Sequence, residues 1–135
     1  MAPLSVIIVF VGGGLGAIAR EGAILLFGRY SAAFPVDIFA ANSLACLLLG
    51  LIFGLHQKRR VSDQVALLVS TGFCGGMSTF STFIYGAYSE LGTPGHLALS
   101  VLYIMVSLVV GYGMTWAGLR LAMKMRGPSD EILGD

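Results

Sequence analysis

The chain has 135 residues, 56% of them hydrophobic and only 11% charged. An average soluble domain carries about 25% charged residues, so the composition is that of an integral membrane protein and not of a soluble enzyme. The length leaves room for one domain, and a formal net charge of +1 argues against nucleic-acid binding, which wants a basic face.

A bilayer core of about 30 Å needs roughly 20 helical residues, and four apolar runs qualify. The first is residues 4–27. It contains "AIA" at Ala17 to Ala19, which imitates a signal-peptidase site, but no basic residue precedes the apolar run. It also contains Gly12, Gly13, Gly14 and Gly16 after "SVIIVF", which imitates a nucleotide-binding turn with Asp37 at a plausible distance. No alternation of strands and helices follows, so these glycines read as the close-packing face of a membrane helix. A loop, "GRYSAAFP", ends at the breaker Pro35. The second run, residues 38–55, stops at "HQKRR". The third is residues 65–88, the turn "ELGTPGH" follows, and the fourth is residues 97–123. The expected organisation is one four-helix transmembrane domain over residues 1–127 and a polar tail over 128–135.

Four spans put both termini on one side of the membrane. That side collects Lys58, Arg59, Arg60, Arg120, Lys124 and Arg126, against Arg20 and Arg29 on the other. The positive-inside rule then favours cytoplasmic termini in a multi-pass protein of the cell (inner) membrane. Cys46 and Cys74 lie in apolar runs without metal or disulfide spacing and read as packing residues. His56 and His96 fall at span ends and suggest no metal site.

The third run holds the anomaly: "STGFCGGMSTFSTFIYG", residues 70–86. Gly72, Gly75 and Gly76 destabilise a helix interior, and Ser78, Thr79, Ser81 and Thr82 offer hydroxyls that bond to backbone. A helix broken at mid-membrane frees carbonyls and amides, which lipid cannot satisfy. Irregular backbone is tolerated there where it meets protein, water or an ion, and unwound carbonyls can hold Na⁺. The competing expectation is that the glycines only let helices approach and the hydroxyls bond back to their own helix. Phe80 and Phe83 share a face of that helix.

"GFCGGMSTFSTF" closely resembles the signature of the Fluc (CrcB) family of fluoride channels. The resemblance extends over nearly the whole chain: "GGxxGAxxR" ending at Arg20, "NSLACLLLG" with Asn42 and Gly50, and Tyr103, Ser107, Gly111 and Gly118 in the last span. It implies a passive channel through which microbes shed fluoride, built as an antiparallel, dual-topology dimer with two pores. It implies a structural Na⁺ at the dimer centre, held by the backbone carbonyls of Gly75 and Ser78. Phe80 and Phe83 would form the aromatic box of each pore. Ser81, Thr82 and Ser107 would supply hydroxyls, with Tyr103 nearby, Asn42 facing the pore and Arg20 toward the vestibule. The implied partners are fluoride, Na⁺, a second copy of the chain and lipid.

One position departs from the family pattern. A glutamate usually stands three residues after the second box phenylalanine; here that residue is Gly86, with Glu90 one turn further on. The alternative reading is a four-span, proton-coupled exporter of small cations. That chemistry needs a membrane-embedded carboxylate, and Glu21 is the one candidate. No nucleophile, base and orienting group converge as an enzyme would require.

Overall fold

In lipid every backbone polar group must find its partner within the protein, and long apolar runs meet this as helices. The structure, a computed structural model, describes residues 2–31, 34–92 and 95–125. Helix α1 is Ala2–Phe27 and α2 is Val36–Gln57. Helix α3 covers residues 63–77. It begins as an α-turn at Asp63–Ala66, continues as a π-helix at Leu67–Cys74 and closes with a turn at Gly75–Met77. The backbone is extended at Ser78 (φ −75°, ψ 151°). It becomes helical again as α4, Phe80–Leu91, and the last helix, α5, is Leu97–Lys124. Four stretches are long and apolar enough to span a membrane: Pro3–Tyr30, Val36–Gln57, Asp63–Ser89 and Leu97–Lys124. They match the expected spans to within a few residues. The expected tail, 128–135, lies outside the described residues, as does Arg126.

The break sits later than the glycines suggested. Gly75 has ordinary helical geometry (φ −64°, ψ −38°), and the helix fails at Ser78 and Thr79. Gly72 and Gly76 instead serve helix contact. The Gly72 α-carbon packs on Gly12, and a Cβ at Gly76 would collide with the Gly13 carbonyl. Small residues of this kind let membrane helices approach to backbone contact. On α1, Gly12 and Gly16 are four residues apart and meet the carbonyls of Leu68 and Phe73, five residues apart on α3. One α-helical turn is thus matched to one wider π turn, which gives the π winding a packing role. On the other side of the bundle Gly50 and Gly118 join α2 to α5, against the carbonyls of Thr115 and Leu47.

Ala41, Ala45, Cys74 and Met77 form the buried core between α2 and α3, with Ala19, Ala23 and Phe73 packed against it. The ends are fixed by polar contacts. Ser62 caps α3 by accepting from the Val65 N–H (3.3 Å). Lys58 Nζ donates to the Met123 carbonyl (2.6 Å) and the Met125 carbonyl (3.3 Å), placing a cation at the negative C-terminus of α5. Arg29 stacks on Tyr30 and Arg120 on Trp116, each 4.8 Å from the ring centre; both pairs suit a membrane interface.

Candidate ion pathway

A break within a span must dispose of the groups it frees, and here a neighbouring helix does so. Asn42, on α2, accepts from the Thr79 N–H through Oδ1 (2.8 Å) and donates from Nδ2 to the Thr79 carbonyl (3.3 Å). The amide thereby replaces the helix at one residue. Helical bonding of α3 still includes Ser78 N–H to the Cys74 carbonyl (2.9 Å). The next donor in line, Thr79 N–H, is taken by Asn42, so the Gly75 carbonyl loses its usual helical partner. Gly75 and Ser78 are both exposed, and a Cβ at Gly75 would meet nothing within 4 Å.

Thr79 also starts α4. Its Oγ1 accepts from the Thr82 N–H (3.3 Å), the geometry of an N-cap, and lies 3.2 Å from Ser81 Oγ and 3.1 Å from Thr82 Oγ1. The break therefore places the C-terminal carbonyls of α3 and the N-terminal amides of α4 within three residues of each other. Carbonyl ends favour cations and amide ends favour anions.

Beside the break is a cavity of about 260 Å³. It is lined from α2 by Asn42 and Cys46, from the break by Ser78 and Thr79, from α4 by Phe80 and Phe83, and from α5 by Ser107 and Leu108. None of these side chains carries a formal charge. Phe80, 76% exposed, and Phe83 lie with ring centres 6.1 Å apart. Phe83 continues to Tyr103 at 5.2 Å, and Phe34 and Tyr103 meet edge to face at 5.0 Å and 84°. Tyr103 is completely buried. Its hydroxyl and the Ser107 hydroxyl, one turn along α5, are buried without a hydrogen-bond partner among the described residues. Buried polar atoms rarely stay unpaired; Ser107 lines the cavity and Tyr103 stands behind Phe83, so each hydroxyl leaves room for a water partner. A larger groove of about 450 Å³ between α2, α3 and α5 lacks this feature. Its hydroxyls, Ser70 and Thr115, bond back to the Ala66 and Gly111 carbonyls.

The other expected site residues fall around this cavity. Ser81 and Thr82 are exposed on the first turn of α4 and join the Thr79 hydroxyl instead of lining it. Arg20 is half-buried on α1 and does not line it, and Glu21 beside it is exposed. Gly86 is buried against Pro35. The side chain of Glu90 lies outside the described residues. Sequence reasoning missed Thr79 as cap and anchor; a hydroxyl directly before the Phe80 helix was the available signal. It also missed Cys46 and Phe34, which only the packing brings near.

Four membrane-length helices, one of them interrupted beside an uncharged cavity lined by hydroxyls and aromatic rings, define a multi-pass membrane protein. The sequence profile of the CrcB-like protein family, Camphor Resistance (CrcB), matches residues 7–119. The "Fluoride-specific ion channel FluC 3" of Yersinia pseudotuberculosis is 38% identical over 133 residues, covering 98% of this chain and 99% of that protein. The "Fluoride-specific ion channel FluC" of Gloeothece citriformis is 36% identical, over 90% of this chain and 98% of the relative. The "FluC 1" channel of Brucella abortus is 36% identical over 88% of this chain, which spans 44% of that longer protein. The chain belongs to the CrcB (FluC) family.

Proposed function

We propose that this chain is a passive, fluoride-selective channel of the cell membrane through which the cell sheds fluoride. Family membership over residues 7–119 and the printed function of its relatives support the substrate. The observation that carries the site is the break at Ser78–Thr79, pinned by Asn42 beside Phe80 and Phe83. Fluoride is small and tightly hydrated, so a path must replace strong water hydrogen bonds. Donors for this are the Ser107 and Tyr103 hydroxyls, which have no hydrogen-bond partner among the described residues, and the hydroxyls of Ser81 and Thr82 once they rotate away from Thr79 Oγ1. The positive ring edges of Phe80 and Phe83 face the anion. Arg20 attracts anions to the entrance. Asn42 contributes from the cavity wall while its amide holds the backbone open.

The working unit is an antiparallel dimer. The exposed break, with Phe80 and the bare face of Gly75 turned outward, suits a second copy that completes both aromatic boxes. The carbonyls of Gly75 and Ser78 fit a Na⁺ site at the centre, because the break leaves the Gly75 carbonyl without its helical donor on an open surface. Bound there, Na⁺ supplies fixed positive charge. The six-to-two Lys/Arg bias runs against dual insertion, but the break needs an opposing copy.

The test is efflux from liposomes with voltage clamped by an ionophore. Fluoride-loaded vesicles should empty and chloride-loaded ones should not; equal chloride efflux, or fluoride flux dependent on a proton gradient, overturns the reading. Reporters on the C-terminus should register on both sides of the membrane. A cytoplasmic signal alone, with no flux from the purified chain, replaces the homodimer by pairing with an oppositely oriented paralogue.

A further inference from the structure

We infer that Gly86 is a positioning residue for the ion path: its bare α-carbon seats Pro35 and Tyr103 together and fixes where the Tyr103 hydroxyl stands beside Phe83. The inference rests on the channel reading above. Gly86 is buried on α4, one turn beyond Phe83. A Cβ there would lie 3.0 Å from Pro35 Cγ, 3.5 Å from Pro35 Cβ and 3.7 Å from Tyr103 Cε1. The first distance is tighter than ordinary van der Waals contact, so a Cβ at 86 requires the proline ring to yield by a few tenths of an ångström.

Tyr103 is held by packing alone. Its ring has Phe83 at 5.2 Å, Phe34 edge to face at 5.0 Å and the Gly86 backbone alongside. Its hydroxyl has no hydrogen bond among the described residues to hold it in place. A tyrosine anchored through its hydroxyl would keep its place when neighbours shift; this one follows Phe34 and Pro35. Those two are braced in turn. Ser31 Oγ donates to Asp37 Oδ1 (2.8 Å) and accepts from the Asp37 N–H (3.2 Å). Phe34 also edges onto Phe39 at 5.6 Å. Volume at residue 86 therefore pushes Pro35, loosens Phe34 and moves the hydroxyl nearest the aromatic row.

The test is a cycle of Gly86→Ala, Pro35→Ala and the double variant, assayed by fluoride efflux and by the tyrosine near-ultraviolet circular dichroism band. Alanine suits a helix interior better than glycine, so a role confined to local helix stability predicts neutral or improved behaviour for G86A. The inference predicts a threefold to tenfold loss of flux and an altered tyrosine band. P35A alone removes the ring that seats Tyr103 and should itself lower flux and alter the tyrosine band. Combined, the two substitutions leave 3.5 Å as the closest ordinary approach and should restore both readouts. The band change should vanish in a Tyr103→Phe background. Parental flux in G86A, or a loss that P35A does not rescue, overturns the inference. If G86A fails to fold, Phe34→Leu reports on the same packing and should lower flux; parental flux there overturns it equally. If the parent itself carries no fluoride, the channel reading fails, and the tyrosine band still decides whether Gly86 positions Tyr103.

Discussion

Replacing Asn42 with leucine tests the central feature of the site. The substitution keeps the volume and removes both bonds to Thr79, at 2.8 Å and 3.3 Å. An orphaned buried backbone group costs about 1–3 kcal/mol, so two would cost roughly 2–6 kcal/mol if nothing replaced the amide. The adjoining cavity of about 260 Å³ admits water, which recovers part of this. The expected net cost is about 1–2 kcal/mol, or roughly a 5- to 30-fold loss of correctly formed breaks. Fluoride flux should fall by that factor, and thermal unfolding of the detergent-solubilised protein should shift down. Asn42→Asp is the informative companion. It keeps an acceptor for the Thr79 N–H, so the break should survive and stability should fall less. Its carboxylate faces the anion path, so flux should fall at least as far as in N42L. If N42L retains parental flux and parental stability, the amide is not what holds the break, and the site must be rebuilt on other contacts.

Two further outcomes follow from the same geometry. Phe80→Ile and Phe83→Ile keep apolar bulk and remove the positive ring edge; each should lower fluoride efflux at least tenfold with oligomer mass unchanged, and parental flux in both would make the rings packing residues. Exchanging Na⁺ for a large organic cation should abolish flux or weaken the dimer in size-exclusion runs, while no Na⁺ gradient drives transport; full activity without any alkali cation would remove the carbonyl site at Gly75 and Ser78.

The four spans were legible because length and apolarity alone decide what crosses a bilayer. Expected limits of 4–27 and 97–123 became Ala2–Phe27 and Leu97–Lys124. The break was legible only to within a turn. Glycine content pointed to Gly72, Gly75 and Gly76, yet backbone freedom is not what those positions use. Gly72 and Gly76 give up their side chains to contact α1, and the chain unwinds where a competing partner exists. That partner is Asn42, 37 residues earlier on another helix, and no local pattern reveals it. Gly86 shows the same limit. Its departure from the family pattern is visible in the sequence, but the closeness of the Pro35 ring, 3.0 Å from where a Cβ would stand, exists only in the packed structure.

The absence of formal charge among the cavity-lining side chains is consistent with passage instead of storage. A unit charge 4 Å from an anion contributes about 4 kcal/mol at an effective dielectric constant of 20, which lengthens residence roughly a thousandfold. On the proposed path, an ammonium in this cavity would hold fluoride where a channel must release it. Hydroxyls, ring edges and the first turn of α4 offer partial charges instead, several weak contacts around the cavity. The chain places its full charges elsewhere: Lys58 caps α5, and Arg29 and Arg120 stack on aromatics at the helix ends. The interrupted helix then gains a physical rationale. Breaking α3 from α4 at Ser78 brings a carbonyl end and an amide end within a few residues, so the partial charges at the break come from backbone and not from an ionised side chain.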